Sequence, residues 1–333
     1  MISSQELKKL FAKFNKLKVF VVGDAMIDKY WLGDIDRISP EAPVPIVNIH
    51  AKESRLGGAA NVALNCIELG ASVHLLTVLG NDTNAKDLLN LLKEKGIDTN
   101  CCLQSKTRKT TAKTRVISKH QQVIRIDEEI TRALSIQDEH RFIDTCLRAI
   151  QIEKPDVLIF EDYNKGVLKE NVIEKIIVHC KHVGVCTAVD PKKENFLNYI
   201  GVDIFKPNLK EIKEAMHMTF NKIDLPSLKK AHQALQQKLN HRVTLLTLSE
   251  HGIFTQDEKN AFLNQAHIRN IADVSGAGDT VIAVASMIYT ITGNIQLMST
   301  IANLAGGLVC EEVGVVPIDK KKLLAEAISV LTE

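Results

Sequence analysis

Short apolar runs rich in β-branched residues alternate along this chain with stretches of helical periodicity, and this alternation is what most constrains the fold. The first run, Val19 to Val22, is stopped by Gly23 and has the length and composition of a buried parallel strand. Similar runs recur at residues 73–79, 157–160, 185–189, 204–206 and 243–248. Helical periodicity occupies residues 59–69, 85–95, 138–150, 169–181, 228–239, 277–292 and 296–311. The alternation predicts a doubly wound α/β fold, with a mostly parallel sheet and helices on both faces.

Two segments interrupt this rhythm, at about residues 30–53 and 107–127. Neither has a helical period, and both contain short alternating stretches such as Val44 to Ile49 and Val123 to Ile126. They predict about four strands of a small second sheet. Because ligands of open α/β sheets bind at the carboxyl ends of the strands, we expect this sheet to form a lid over that edge. Residues 1–333 contain neither a linker nor an internal repeat, and they predict a single domain with the two lid segments inserted.

Charge and hydropathy argue against several classes of partner. The chain has 42 Lys and Arg against 40 Asp and Glu, so a net charge of +2 gives no reason to expect nucleic acid or an anionic membrane. Residues 1–17 lack the apolar run of a secretory signal, and the longest apolar stretch, residues 281–291, is too short to span a bilayer. The seven cysteines are an odd number without a Cys-x-x-Cys pair. We therefore expect a cytoplasmic protein with reduced thiols.

A glycine-rich turn opens the apolar helix that begins near residue 277. Gly276, Ala277 and Gly278 would direct successive backbone amides outward at a helix N-terminus, which is a favourable place for an anion. Asp279 follows, and a carboxylate there could take a proton from a hydroxyl that attacks a phosphate. A simple turn with Asp279 as a helix cap explains the same residues equally well. Neither a Walker phosphate loop nor a dinucleotide fingerprint occurs in the sequence.

Two further clusters place polar groups at predicted helix starts. Gly57 and Gly58 would let a polyhydroxylated ligand approach the backbone, and Asn61 lies one turn inside the same helix. Asn208 and Glu211 are three residues apart, a spacing that fits a plain capping box and also fits a hydrated Mg²⁺ ion. Each cluster alone has an ordinary structural explanation.

Taken together, in this order and on an alternating α/β pattern, these motifs resemble the ribokinase-like carbohydrate kinases, the PfkB family, over essentially the whole chain. A closer resemblance, to the heptose 7-phosphate kinases of that family, rests on residues 37–45, 121–127, 162–166 and 190–192. The first of these runs, Arg-Ile-Ser-Pro-Glu-Ala-Pro-Val-Pro, is the most specific. The resemblance implies a Mg-ATP-dependent kinase that phosphorylates the anomeric hydroxyl of D-glycero-D-manno-heptose 7-phosphate to the 1,7-bisphosphate, a precursor of ADP-heptose and of the lipopolysaccharide core.

The resemblance also implies roles for individual residues. Asp279 resembles the catalytic base of the family, and the amides of Gly276, Ala277 and Gly278 resemble its anion hole. ATP binding is implied for Asn208, Leu209, Lys210, Glu211, Thr247, Ser249 and Gly252, with Asn208 and Glu211 holding Mg²⁺ through water. Sugar binding is implied for Asp28, Gly57, Gly58, Asn61, Asp162 and Lys165.

For the distal phosphate of the sugar, we expect cationic partners in or beside the lid segments. Arg37, Lys113 and Arg125 are the residues of this kind, although ordinary solvated charges would look the same in the sequence. The exposed edges of a small sheet also predict a homodimer through the lid.

The chain departs from the broad family pattern at Ser249, where a glycine is common, and this leaves the backbone contacts to the nucleotide open. None of the 11 histidines forms the His-x-Gly-His motif of an adenylyltransferase, so we expect no such domain in residues 1–333. Two alternatives remain: a kinase of another sugar phosphate or of a nucleoside, and a catalytically dead sensor of sugar or nucleotide. A pure sensor would not need Asp279.

Overall fold

The computed structural model describes residues 2–119, 121–267 and 269–332. Met1, His120, Ile268 and Glu333 lie outside these ranges, so the two ends of the predicted 1–333 domain and one residue of the predicted segment 107–127 are not described.

Thirteen strands form two sheets in the described ranges. They are β1 (Lys18–Gly23), β2 (Ala25–Ile38), β3 (Pro45–Gly58), β4 (Ser72–Gly80), β5 (Cys102–Ser105), β6 (Thr111–Ser118), β7 (Gln121–Glu128), β8 (Val157–Glu161), β9 (Cys186–Asp190), β10 (Ile204–Phe205), β11 (Val243–Thr247), β12 (Ile253–Gln256) and β13 (Ala261–Asn264). The main sheet has nine strands in the order β13-β12-β11-β10-β9-β8-β1-β4-β5. Its pairs are parallel from β5 to β11, and β12 and β13 add an antiparallel edge.

Helices cover both faces of the main sheet. They are α1 (Ser4–Lys13), α2 (Ala59–Glu68), α3 (Thr83–Glu94), α4 (Ile136–Glu153), α5 (Glu170–Val183), α6 (Leu209–Met216), α7 (Leu225–Leu239), α8 (Ala277–Thr292), α9 (Ile295–Val309) and α10 (Lys320–Thr332). Successive residues of β1 alternate between two cores, with Val19 and Val21 in one and Phe20 and Val22 in the other. The first core holds α1, α2, α3, α8, α9 and α10, and the second holds α4, α5, α6 and α7. The predicted α/β fold with a mostly parallel sheet is therefore confirmed.

The second sheet has four strands in the order β3-β2-β6-β7. β2 and β3 form a long antiparallel hairpin, and β6 pairs parallel to β2. The predicted small sheet is present, but its first hairpin is longer than expected. It begins at Ala25, directly after β1, and ends at Gly58, where α2 begins, because the alternation of residues in this region continues beyond the segment 30–53.

No helix is predicted from the sequence before the first strand, yet Ser4–Lys13 is helical. Ser3 and Glu6 form a capping box at its start, and Leu7, Leu10 and Phe11 are buried against the first core. Across the described ranges, none of the helices combines the length and apolarity needed to cross a membrane.

Candidate active site

One cavity of about 530 Å³ lies where the carboxyl ends of β9, β10 and β11 meet the start of α8. Parallel strands bring their carboxyl ends to one edge of the sheet, so residues distant in sequence meet there. The residues singled out from the sequence that line this cavity are Asn208, Thr247, Ser249, Gly252, Gly276, Ala277, Gly278 and Asp279. Both segments that are predicted to bind the nucleotide therefore line the same cavity as the glycine-rich turn.

The glycine-rich turn forms the start of α8. Gly276 is the residue before the helix, and its φ of +81° lies in the left-handed region that favours glycine. The amide of Ala277 already donates to the carbonyl of Val274, at 3.3 Å. The positive end of the α8 dipole faces the cavity at this turn, which suits the binding of an anion.

Asp279 is buried in the first turn of α8, and both of its carboxylate oxygens are held. Oδ2 accepts from Asn61 Nδ2 at 2.7 Å, and Oδ1 accepts from the Tyr163 hydroxyl at 2.8 Å. Burial raises the pKa of Asp279 to about 6, against the opposing effect of these two hydrogen bonds. The result is a fixed carboxylate that is ionised at neutral pH and still basic enough to accept a proton.

A second asparagine, which the sequence analysis missed, holds α2 against α8. Asn65 Oδ1 accepts from the Thr280 hydroxyl at 3.0 Å and from the amide of Ile318 at 2.9 Å. Its Nδ2 donates to the carbonyl of Asn61 at 2.9 Å. Asn65 lies one helical turn after Asn61, and this spacing is the signal that could have revealed it.

Two lysines bring positive charge to the cavity wall. Lys206 Nζ lies 2.8 Å from Asp190 Oδ2, and Lys192 Nζ lies 3.4 Å from Asp190 Oδ1 and 2.9 Å from Glu211 Oε1. Burial works to raise the pKa of Asp190, but the charges of Lys192 and Lys206 lower it below its usual value. Lys206 directly follows the short apolar strand β10, so the sequence pattern gave no sign of a functional group. Both lysines line the cavity beside the glycine-rich turn.

Asn208 and Glu211 form the predicted capping box at the start of α6. Asn208 Oδ1 accepts from the Glu211 amide at 2.9 Å, and Glu211 Oε2 accepts from the Asn208 amide at 2.7 Å. Their carboxylate and amide oxygens are the ligands that Mg²⁺ prefers, but the capping oxygens already have protein partners. Glu211 Oε1 also accepts from Lys192, so an ion near Asn208 and Glu211 would be held through water rather than by direct contact.

Leu209 and Lys210, also implied for ATP binding, do not line the cavity. Leu209 packs against the second core, and Lys210 is exposed, 3.9 Å from Glu214. By contrast, Thr247, Ser249 and Gly252 line the cavity at the end of β11 and the tight turn that follows it, with Thr247 bridged to Asn208.

Four of the residues implied for sugar binding, Asp28, Gly57, Gly58 and Asn61, meet where the second sheet joins α2. Asp28 lies inside β2, buried and paired with Arg115 of β6. A Cβ added at Gly57 would lie 2.3 Å from Asp28 Oδ2, so only glycine fits opposite this carboxylate. Gly58 precedes α2 with a φ of +56°. Arg115 was not identified from the sequence, since its segment looked like an ordinary alternating strand.

Asp162 is not brought to the cavity. Its carboxylate accepts from Asn195 Nδ2 at 2.9 Å, from the Tyr199 hydroxyl at 2.7 Å and from the amide of Asn164 at 2.8 Å. These partners lie in the interior, and burial raises the pKa of Asp162 to about 6. Asp162 thus fixes the loop after β8 and leaves its neighbour Tyr163 to face the cavity.

Two of the three cations predicted for the distal phosphate, Lys113 and Arg125, lie on the second sheet and form a cluster with Lys165 of the loop after β8, which was predicted to bind the sugar. Lys113 lies 3.2 Å from Asp127 and 3.5 Å from Glu129, and Lys165 lies 2.9 Å from Glu129. Arg125 pairs with Asp127 at 2.9 Å.

The third cation predicted for the distal phosphate, Arg37, is far from this cluster. It is exposed near the end of β2, nine residues beyond Asp28, and a strand of that length spans roughly 30 Å. Within one chain, Arg37 and the cluster cannot contact the same small sugar.

Residues 16–321 match the pfkB family of carbohydrate kinases. The chain belongs to this family. Membership of the PfkB family makes it a phosphotransferase that acts on a sugar hydroxyl and implies ATP as the phosphoryl donor. The family predicted from the sequence motifs is therefore confirmed.

Curated relatives of this PfkB-family chain include the bifunctional protein HldE of Methylobacillus flagellatus and that of Helicobacter acinonychis. Each is 39% identical, over 310 and 299 residues, which cover 92% and 89% of this chain. The matches cover 62% and 63% of the relatives, so the chain spans less than two thirds of their length.

Among solved structures, phosphofructokinase-2 from Escherichia coli in complex with potassium superposes with a TM-score of 0.77 at 16% identity, covering 95% of this chain and 100% of that one. At that identity, the likeness supports the fold alone.

Proposed function

We propose that this chain transfers the γ-phosphoryl group of Mg-ATP to the anomeric hydroxyl of D-glycero-D-manno-heptose 7-phosphate, giving the 1,7-bisphosphate. The observation that carries the reaction is the buried carboxylate of Asp279, held by Asn61 and Tyr163 at a helix N-terminus. Support for the sugar comes from the four runs that resemble heptose 7-phosphate kinases. The test is an assay with ATP and the heptose phosphate, with the product identified by phosphorus NMR. An absence of sugar phosphorylation would refute the proposal.

In this mechanism, Asp279 removes the proton from the attacking hydroxyl. Its two hydrogen bonds fix the carboxylate in one orientation, so little reorganisation is needed when the hydroxyl arrives. The amides of the Gly276–Gly278 turn, the α8 dipole and the charges of Lys192 and Lys206 stabilise negative charge on the transferring group. Bound ATP supplies the phosphoryl group, and Mg²⁺, held through water by Asn208 and Glu211, would neutralise phosphate charge.

The proposed positions of the two substrates follow from the walls of the cavity. ATP would lie along Asn208 and Thr247, which are neighbours in a β-bridge, and along Ser249 and Gly252, facing the start of α8. The sugar would lie between Asp279 and the second sheet, near Asp28, Gly57 and Asn61. The second sheet would then act as the lid of a single kinase domain. A kinase of another sugar phosphate or of a nucleoside would use the same base, and the choice of acceptor in the assay separates these possibilities.

We expect kcat/KM to depend on pH through the ionisation of Asp279. A base works only when deprotonated, so the rate should fall tenfold per unit below the pKa of about 6 and level off above it. Tyr163→Phe removes one of the hydrogen bonds that lower this pKa, so its profile should shift to higher pH. The measurement is kcat/KM from pH 5 to pH 8 for both proteins. A flat profile across that range, or an unshifted variant, would contradict the role of Asp279 as base.

We also propose a homodimer formed through the second sheet. Its edge strands are β3 and β7, and Ile124 and Ile126 of β7 are exposed, as is Ile38 at the end of β2. Pairing of these edges would cover both the unpaired backbone groups and the apolar side chains.

Sedimentation at micromolar concentration should show a species of about 74 kDa, twice the 36.9 kDa chain. Ile124→Lys should shift the population toward monomer, because it places a charge in the proposed interface. Ile152→Lys changes an exposed isoleucine on α4 and is the matched control. A wild-type protein that sediments only as monomer would rule the dimer out.

A further inference from the structure

Asp24 is a buried carboxylate that the mechanism above does not use. It lies between β1 and β2 and is only 1% exposed. Its Oδ2 atom accepts from the amides of Tyr163 and Lys165, each at 2.9 Å, and its Oδ1 atom accepts from the amide of Val167 at 3.1 Å. One side chain therefore holds three backbone amides of the loop after β8, which consists of residues 162–167.

The backbone of this loop is shaped to surround an anion. Asn164 and Gly166 have φ values of +52° and +84°, in the left-handed region. Where left-handed residues alternate with others, the amides between them turn toward one point and form a concave anion site. A Cβ added at Gly166 would lie 2.1 Å from the carbonyl oxygen of Arg132, so only glycine fits there. In this chain the bound anion is the carboxylate of Asp24.

The backbone of Asp24 is also tied to the active site. Its carbonyl accepts from the amide of Ala59 at 3.1 Å, and Ala59 is the first residue of α2. This helix carries Asn61, which donates one of the two hydrogen bonds to Asp279. Tyr163 of the loop after β8 donates the other. Asp24 therefore contacts both elements that hold the carboxylate of Asp279.

We propose that Asp24 is a positioning residue for phosphoryl transfer, which acts by fixing the loop after β8 and with it Tyr163 and Lys165. The loop places the Tyr163 hydroxyl 2.8 Å from Asp279 Oδ1. It also places Lys165 Nζ 2.9 Å from Glu129 Oε1, in the cation cluster of the second sheet. Because one anchored stretch of backbone carries both side chains, it sets both distances. The roles of Asp279 and Lys165 rest on the proposed function, whereas the anchoring of the loop does not.

Hydrogen exchange of the full chain, without substrates, tests the anchoring. The three loop amides should be protected in wild type and should exchange about tenfold faster or more in Asp24→Asn. The asparagine has one acceptor oxygen for these N–H groups, and its NH₂ group would face another donor. Asp203→Asn is the matched control, because Asp203 accepts from the amide of Thr187 at 2.8 Å and lies outside the active-site cavity. It should leave the exchange of the loop unchanged.

Kinetics test the consequence for the reaction. kcat and KM are compared at pH 8, well above the pKa of Asp279 of about 6, so that the base is ionised. Asp24→Asn should lower kcat about 10- to 100-fold and raise KM for the sugar phosphate, while KM for ATP stays at the wild-type value. Adding Tyr163→Phe to Asp24→Asn should lower kcat no further, because Asp24 acts through Tyr163. Asp203→Asn should keep the wild-type kcat.

Asn164→Ala disturbs the same loop without changing Asp24, and it keeps the test open if Asp24→Asn does not fold. Alanine disfavours the φ of +52° at this position, whereas glycine accepts it. Asn164→Ala should therefore reproduce the faster exchange of the loop amides and the lower kcat, and Asn164→Gly should not.

Unchanged exchange of the loop in Asp24→Asn, or in Asn164→Ala where the first variant does not fold, would overturn the proposal. So would kcat losses of Asp24→Asn and Tyr163→Phe that multiply in full in the double variant, since a general loss of stability gives that result. The proposed function fails separately. If Asp24→Asn speeds exchange but wild type does not phosphorylate heptose 7-phosphate, the loop is anchored by Asp24 and only the assigned sugar is wrong.

Discussion

Replacing Asp279 by asparagine is expected to lower the rate of phosphoryl transfer by about 10²–10⁴-fold while ATP affinity is retained. The amide group of the new side chain cannot take a proton, but it keeps the shape of the carboxylate. Its oxygen can still accept from Asn61, and the Tyr163 hydroxyl can rotate to accept from its NH₂ group. The fold and the cavity should therefore survive. The measurements are the single-turnover rate and the dissociation constant for ATP.

Asp257→Asn makes the same chemical change in the turn between β12 and β13, where the carboxylate accepts from the amides of Lys259 and Asn260. It lies outside the active-site cavity, so its rate should match that of wild type. A near wild-type rate for Asp279→Asn would remove Asp279 from the mechanism. The proposed base would then have to be sought elsewhere around the cavity.

The main sheet could be predicted because its strands are buried on both faces and therefore appear as continuous apolar runs. β1 and β8 are the clearest cases, and the structure places them where the runs predicted. β5 and β13 were missed because they lie at the edges of the sheet, and β12, which lies one place inside the edge, was missed because it is only four residues long and ends at Gln256. The edge strands are only partly buried, and a residue such as Gln104 breaks the apolar pattern of β5.

The groups around Asp279 could be identified individually in the sequence, but their contact in the folded chain could not be predicted. Asn61 and Asp279 are 218 residues apart and their side chains lie 2.7 Å apart, a contact set by the packing of α2 against α8. Asp162 shows the opposite case. It belongs to a polar run after a strand, yet the tertiary fold turns its carboxylate toward Tyr199 rather than toward ligand. Sequence spacing predicts which residues share one face of a strand or helix. It does not predict which neighbouring element packs on that face.

The distal phosphate of the sugar should account for most of the substrate selectivity. In the described part of the chain, Lys113, Lys165 and Arg125 pair with Asp127 and Glu129, so this cluster of three cations and two carboxylates carries a net positive charge. A phosphate entering it can replace a carboxylate as the partner of a lysine, and such charge-assisted contacts also help to position the anomeric hydroxyl. We therefore expect heptose 7-phosphate to be used far better than unphosphorylated heptose.

Replacing a residue that binds the phosphate by alanine should lower transition-state stabilisation by about 1.5–3 kcal/mol with the phosphorylated sugar. The same substitution should have no such effect with the unphosphorylated sugar. The largest effects are expected at Lys113 and Lys165, whose side chains are each 15% exposed, and a smaller one at Arg125, which is 49% exposed. Arg37→Ala removes the same charge at the far end of β2 and should have the least effect.

The comparison is kcat/KM for both sugars in wild type and in each single variant. Equal use of the two sugars by wild type would refute the heptose 7-phosphate assignment and leave a carbohydrate kinase with another acceptor. Losses of kcat/KM that are the same for both sugars would exclude Lys113, Lys165 and Arg125 from phosphate binding. A residue that binds the phosphate makes no such contact with the unphosphorylated sugar. A selective loss in Arg37→Ala alone would place the phosphate near the end of the hairpin, which one chain cannot bring to Asp279 and a second subunit could.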